Sequence, residues 1–125
     1  MQQATKVLVI DDDHSFADFA KILLESSGYE AVVSLEGAKA LDLAKAHKPD
    51  VILMDINMED VGGLEAIRML KADSATRSIP IILCSVTSGG LDAAECADYG
   101  AADFISKPLR SGDLNSRIQK VLSHA

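Results

Sequence analysis

Val51-Ile52-Leu53-Met54-Asp55-Ile56-Asn57-Met58-Glu59-Asp60-Val61-Gly62-Gly63 is the stretch on which the fold turns. Four apolar residues run straight into a carboxylate, and the short polar and flexible residues beyond cannot extend the strand. An unbroken apolar run of this length reads as a strand buried on both faces, as in a parallel sheet. Asp55 then stands at its carboxyl end, the edge where open α/β sheets place their ligands.

The flanking sequence repeats the pattern. Lys6-Val7-Leu8-Val9-Ile10 is a second buried strand, broken by Asp11-Asp12-Asp13-His14-Ser15, an acid run able to satisfy the free amides of a following helix. Phe16, Phe19, Ala20, Leu23 and Leu24 recur at helical spacing over residues 14–27, and Gly28 supplies a stop. Residues 29–34 read as a short strand. Residues 36–46 read as an Ala-rich helix with Ala38, Leu41, Leu43 and Ala44 inward, closed by Pro49. Beyond Gly62-Gly63, Leu64, Ile67, Met69 and Leu70 carry a helix to about residue 72, and residues 73–79 are polar and loop-like. Pro80-Ile81-Ile82-Leu83-Cys84-Ser85 is a buried strand ending at a hydroxyl, followed by a loop and a short helix over 91–98. A fifth strand over 100–106 leads into Lys107-Pro108, and a last helix over 111–123 buries Leu114, Ile118, Val121 and Leu122. Strands alternating with helices imply right-handed crossovers and a parallel sheet covered on both faces. Five such units are too few for an eight-stranded barrel. Neither a Gly-rich dinucleotide turn nor a GxxxxGK stretch is present.

Composition sets the bounds. The 125 residues, with a net charge of -7, suit one domain over 1–125 (core about 5–123) able to bury a core without disulfides. The acidic balance and the lack of a Lys/Arg cluster argue against direct DNA binding. Cys84 and Cys96 have no metal spacing, and Cys84 inside an apolar run reads as a small buried hydrophobe in a reducing compartment. No apolar run reaches membrane-spanning length and the first residues are too few and too polar for a signal peptide, so a cytoplasmic location is expected. His14, His47 and His124 are separated and read as surface residues, and Met54, Met58 and Met69 as packing.

The polar strand ends converge on one edge: Asp11 and Asp12 after the first strand, Asp55 at the third, Ser85 at the fourth, Lys107 after the fifth. Three carboxylates in a small volume repel and need a cation, and hard oxygen ligands suit Mg²⁺. Lys107 supplies a charge and Ser85 a hydroxyl for phosphate oxygens, which is equipment for phosphoryl transfer. Asp55 is the natural nucleophile, and its product an acyl phosphate. Taken singly these residues have plainer readings, Asp13 as a cap, Asp55 as a turn residue, Lys107 as a solvated charge. Their joint placement favours a site.

Val7-Leu8-Val9-Ile10-Asp11-Asp12-Asp13, Val51-Ile52-Leu53-Met54-Asp55, Pro80-Ile81-Ile82-Leu83-Cys84-Ser85 and Phe104-Ile105-Ser106-Lys107-Pro108, in this order and spacing, make the chain resemble the receiver domain of two-component response regulators, over essentially its whole length. The resemblance is to the stand-alone, chemotaxis-regulator-like kind. It implies an α/β fold, a doubly wound five-stranded parallel sheet of flavodoxin-like order 2-1-3-4-5 with five helices. It further implies that Asp55 is the phosphoacceptor and that Mg²⁺ is held by Asp11, Asp12, Asp55 and the Asn57 carbonyl, Asp12 more directly than Asp11. By the same resemblance Ser85 and Lys107 engage the phosphoryl group, and Ser85 and Phe104 form the switch. Implied partners are a sensor histidine kinase or phosphotransfer protein and an unidentified output protein, with the chain a monomer or weak dimer. Such a chain catalyses only its own phosphorylation and dephosphorylation and is not an enzyme in the metabolic sense. The start at Met1 and the short tail after Leu122 favour a natural single-domain regulator over an excised receiver. The sequence departs from the family pattern at Glu59 (commonly proline), Gly62 (commonly aspartate) and Val86 (often alanine), and Phe104 lacks a tyrosine hydroxyl. Two other classes stay open: a small-molecule phosphatase or phosphotransferase with an Asp nucleophile, against which Asn57 stands where a second acid is wanted, and a receiver used only as a binding module.

Overall fold

The computed structural model describes residues 4–56, 62–86, 97–107 and 109–123, apart from the side chains of Ser85, Val86 and Ser111. The expectations for Asn57, Met58, Glu59, Cys96, Pro108, His124 and most of the helix at 91–98 lie outside the described residues.

Five strands, β1 (Lys6–Ile10), β2 (Glu30–Ser34), β3 (Val51–Asp55), β4 (Ile81–Val86) and β5 (Asp103–Lys107), form one sheet in the order β2-β1-β3-β4-β5. Every pairing is parallel. Helices α1 (His14–Ser26), α2 (Ala40–His47, entered through a 3₁₀ turn at Gly37–Lys39), α3 (Gly63–Ala72) and α4 (Ser111–Ser123) are the described crossover and terminal helices. The flavodoxin-like order is therefore as expected, with four of the five expected helices falling among the described residues.

Period-two alternation of the strands divides the core into two layers. Val7, Val9, Leu53, Ile82, Cys84 and Ile105 face α1 and α4, packing with Ala20, Leu24, Leu114 and Ile118. Leu8, Ile10, Ile52, Met54, Ile81 and Leu83 face α2 and α3, packing with Ala44, Ile67 and Leu70. All five residues of β3 are buried, which is why its sequence shows no polar alternation.

The helix faces differ from the expected ones at Phe19, Ala38 and Met69. On α1 the buried residues are Ala17, Ala20 and Leu24, while Phe19 is 44% exposed. Ala38 is exposed and Ala40 takes its inward place, because the 3₁₀ turn rotates the start of that segment. Met69 likewise lies outward, and Ala66 inward. β5 starts at Asp103 instead of residue 100, since Gly100 takes a positive φ of 101° and closes a turn before the strand. In the polar 73–79 segment Thr76 is fully buried, its hydroxyl donating to the Leu70 carbonyl at 2.6 Å and so satisfying the end of α3.

Candidate functional site

The chain passes from β1 outward to β2, then returns across β1 to lay down β3 on its other side. Ile10 pairs with Met54, so the residues that follow them, Asp11 and Asp55, emerge side by side at the point where strand order reverses. Asp11 is 1% exposed and Asp55 5%, while Asp12 is half-buried. One oxygen from each of the three carboxylates lies within 4.8 Å of the others.

Local hydrogen bonds hold the acids in place. The Asp11 amide donates to the Ser34 carbonyl of β2 at 3.1 Å, extending the ladder one residue beyond the strand. Asp11 Oδ1 accepts the Asp13 amide at 2.9 Å, and Asp13 Oδ1 in turn accepts the amides of Ser15 and Phe16, capping α1. Asp13 therefore is the cap that its position suggested. On the other strand the Ile56 amide donates to the Cys84 carbonyl and the Gly63 amide to the Ile56 carbonyl, so α3 starts directly behind Asp55.

Lys107 closes the site from β5. Its Nζ lies 2.9 Å from Asp11 Oδ2 and 3.5 Å from Asp55 Oδ1, and only 17% of the side chain is exposed. Burial by itself pulls this ammonium down. Its contact with Asp11 and the charges of Asp11 and Asp55 outweigh burial and hold its pKa above the ordinary lysine value. Cys84, opposite Asp55 in the ladder, is pushed up to about 12, first by burial, so the thiol stays protonated and takes no part as a nucleophile. Ser85 lies on β4 opposite Ser106 at the same edge. Phe104 is half-buried against the α2/α3 layer, and its carbonyl accepts from Arg117 of α4 at 2.8 Å.

Among the described residues, three carboxylates thus confront the Lys107 ammonium, with Asp11 and Asp55 buried and Asp12 half-buried. The donor set is all oxygen and carries excess negative charge, which fits a hard divalent cation and does not fit a soft metal. A separate cleft of about 580 Å³, lined by Ala4, Lys6, Glu30, His47, Lys48 and Asp50, opens at the opposite ends of the strands. There Lys6 is engaged by the His47 carbonyl and by Asp50, and nothing of the acidic recess is shared.

The response regulator receiver domain model matches residues 7–119. The chain belongs to this family. The polar-differentiation response regulator DivK of Brucella anthropi is 38% identical over 103 residues, covering 82% of this chain and 84% of that protein. The fold of this receiver also matches a Vibrio cholerae chemotaxis protein, CheY4, with a TM-score of 0.87 at 28% identity, over 95% of this chain and 99% of that one. The receiver domain of a sensor histidine kinase from Pseudomonas aeruginosa, with a magnesium ion coordinated in its active site cleft, matches with a TM-score of 0.87 at 25% identity, over 97% and 99% of the two chains.

One residue at the recess escaped the sequence reading. The Phe16 ring lies under the Lys107 ammonium, 4.1 Å from Nζ to the ring centroid. Helical spacing marked Phe16 only as apolar. The signal available was its place in the first turn after the acid run, where a side chain can reach the same sheet edge.

Proposed function

We propose that this receiver is a phosphorylation-dependent switch whose acceptor is Asp55. The observation that carries the reading is the meeting of Asp11, Asp12, Asp55 and Lys107 at the reversal of strand order. An Asp55 oxygen attacks the phosphorus of a phosphohistidine on a sensor kinase or phosphotransfer protein. A P–O bond forms as the P–N bond breaks, and the departing imidazole keeps the electron pair. Asp11, Asp12, Asp55 and the Asn57 carbonyl are the groups that would hold Mg²⁺, which when bound offsets charge on the transferring oxygens. Lys107, already within 3.5 Å of Asp55, moves from Asp11 towards the new phosphoryl oxygens. Ser85 provides a hydroxyl from β4.

The added dianion biases a two-state packing that runs through Ser85 and Phe104 to the surface beside β5 and α4, where an output protein binds. Water attack on phosphorus releases phosphate and restores the Asp55 carboxylate, so the chemistry is self-directed. The location proposed is the cytoplasm, and among the described residues no helix is long and apolar enough to cross a membrane. Incubation with acetyl phosphate and Mg²⁺, followed by intact mass, tests the reading. The expected gain is one phosphoryl group, absent in Asp55→Asn and with EDTA. A gain that survives Asp55→Asn contradicts the assignment of the acceptor.

A further inference from the structure

We propose that Phe16 is a positioning residue for Lys107, its ring face acting as an uncharged wall of the ammonium's seat. The proposal rests on the reading of Lys107 as the group that meets the transferred phosphoryl. Two carboxylate oxygens lie 2.9 and 3.5 Å from Nζ, and the ring centroid lies at 4.1 Å. An aromatic face is electron-rich and attracts a cation without donating or accepting a proton. The contact strengthens as water is removed, and the Lys107 side chain is only 17% exposed.

The placement of the ring is built into the site. Asp11 Oδ1 fixes the Asp13 amide, Asp13 Oδ1 fixes the Phe16 amide, and the half-buried Phe16 packs against the α1/α4 layer of the core. The ring then meets Lys107, which returns to Asp11 through Oδ2. The circuit is closed, so the residue that anchors the lysine also sets the position of the ring beneath it.

This arrangement has a consequence for transfer. Lys107 must exchange Asp11 for a phosphoryl oxygen, and a wall of carboxylates alone would hold it at Asp11 or release it to water. The ring gives the ammonium a surface to slide over between the two partners, keeping it desolvated and close to Asp55. A leucine is apolar but smaller, and it lacks the electron-rich face.

The test replaces Phe16 by 4-fluoro-, 3,5-difluoro- and 3,4,5-trifluorophenylalanine, which keep the shape and progressively weaken the attraction, beside Phe16→Leu and Phe16→Tyr. Two quantities are read. In the metal-free resting protein, the Lys107 Cε methylene proton resonance is displaced upfield by the ring, and Phe16→Leu removes that displacement. In phosphorylation by acetyl phosphate, the rate falls stepwise along the fluorinated series by roughly threefold to tenfold in all, and Phe16→Tyr, which keeps the electron-rich face, holds the parent rate. A rate that is flat across the fluorinated series, or a Lys107 signal that Phe16→Leu leaves unmoved, overturns the proposal. The two readings fail separately. Absence of phosphorylation at Asp55 in the unsubstituted protein defeats the acceptor assignment, whereas normal phosphorylation with a flat series defeats only the role of Phe16.

Discussion

Gly63 is a position at which a single methyl group should disturb the recess without altering a charged side chain. A Cβ built there would lie 2.2 Å from the Asp55 carbonyl oxygen, 2.8 Å from Ile56 Cα and 3.0 Å from the Asp55 carbonyl carbon. All three are backbone atoms, so no side chain can swing aside. Restoring ordinary contact requires α3 to retreat from β3 by roughly 1 Å, which strains the 2.9 Å bond from the Gly63 amide to the Ile56 carbonyl. Overpacking of this kind costs about 1–3 kcal/mol, and weakening one buried hydrogen bond adds about 1 kcal/mol. Gly63→Ala should therefore lose about 2–4 kcal/mol, a large part of the stability of a domain this size. Gly62→Ala is the control, because among the described residues the nearest atom to its Cβ is the Ile56 carbonyl oxygen at 4.0 Å and its φ of -61° is ordinary. There a small loss of capping preference opposes a small gain from a stiffer unfolded chain, leaving it within about 1 kcal/mol of the parent. Urea unfolding followed by far-ultraviolet circular dichroism measures both. A Gly63→Ala midpoint equal to the parent's, or a Gly62→Ala loss equal to that of Gly63→Ala, would refute the reasoning.

Three further outcomes follow from the same structure. Asp13→Ala removes a side chain that accepts the Ser15 and Phe16 amides and should cost about 1 kcal/mol in urea, whereas Asp13→Asn should retain most of the cap; equal losses would contradict that assignment. Thr76→Val keeps the shape of a fully buried side chain but loses its 2.6 Å bond to Leu70, and a cost of about 1–2 kcal/mol is expected from thermal unfolding; no change would show that the bond contributes nothing. Cys84 bears on alkaline stability, because its folded pKa of about 12 stands above the unfolded value of 9.0. Between those limits the unfolded state sheds the thiol proton first, so stability is lost as pH rises, by up to about 1.4 kcal/mol per unit from this group. Cys84→Ala should flatten that part of the curve, and an unchanged slope would contradict the raised pKa.

The strands and their polar ends were legible because burial on two faces leaves a continuous apolar run that no surface strand shows. β1 and β3 are the clearest cases, and each delivers an aspartate to the recess. Helix faces were less legible. Periodicity weighs large apolar residues, but α1 lies on the sheet through Ala17 and Ala20 and leaves Phe19 outside. The start of β5 was hidden because Ala101 and Ala102 are apolar enough to extend a strand, while the positive φ of Gly100 sets them in a turn. Thr76 and Phe16 were missed for a common reason. Phe16 meets a partner far away in sequence and Thr76 one at the end of another element, and apolar periodicity does not report such pairings.

The central claim is that Asp55 receives the phosphoryl group. An acyl phosphate is reduced by borohydride where a free carboxylate is not, converting the aspartate to homoserine. The most direct measurement is peptide mapping after acetyl phosphate, Mg²⁺ and borohydride treatment. Homoserine at residue 55, lost when EDTA replaces Mg²⁺, is the predicted result. Homoserine at residue 11 or 12, or none at all in a protein that has gained a phosphoryl group, would contradict the account.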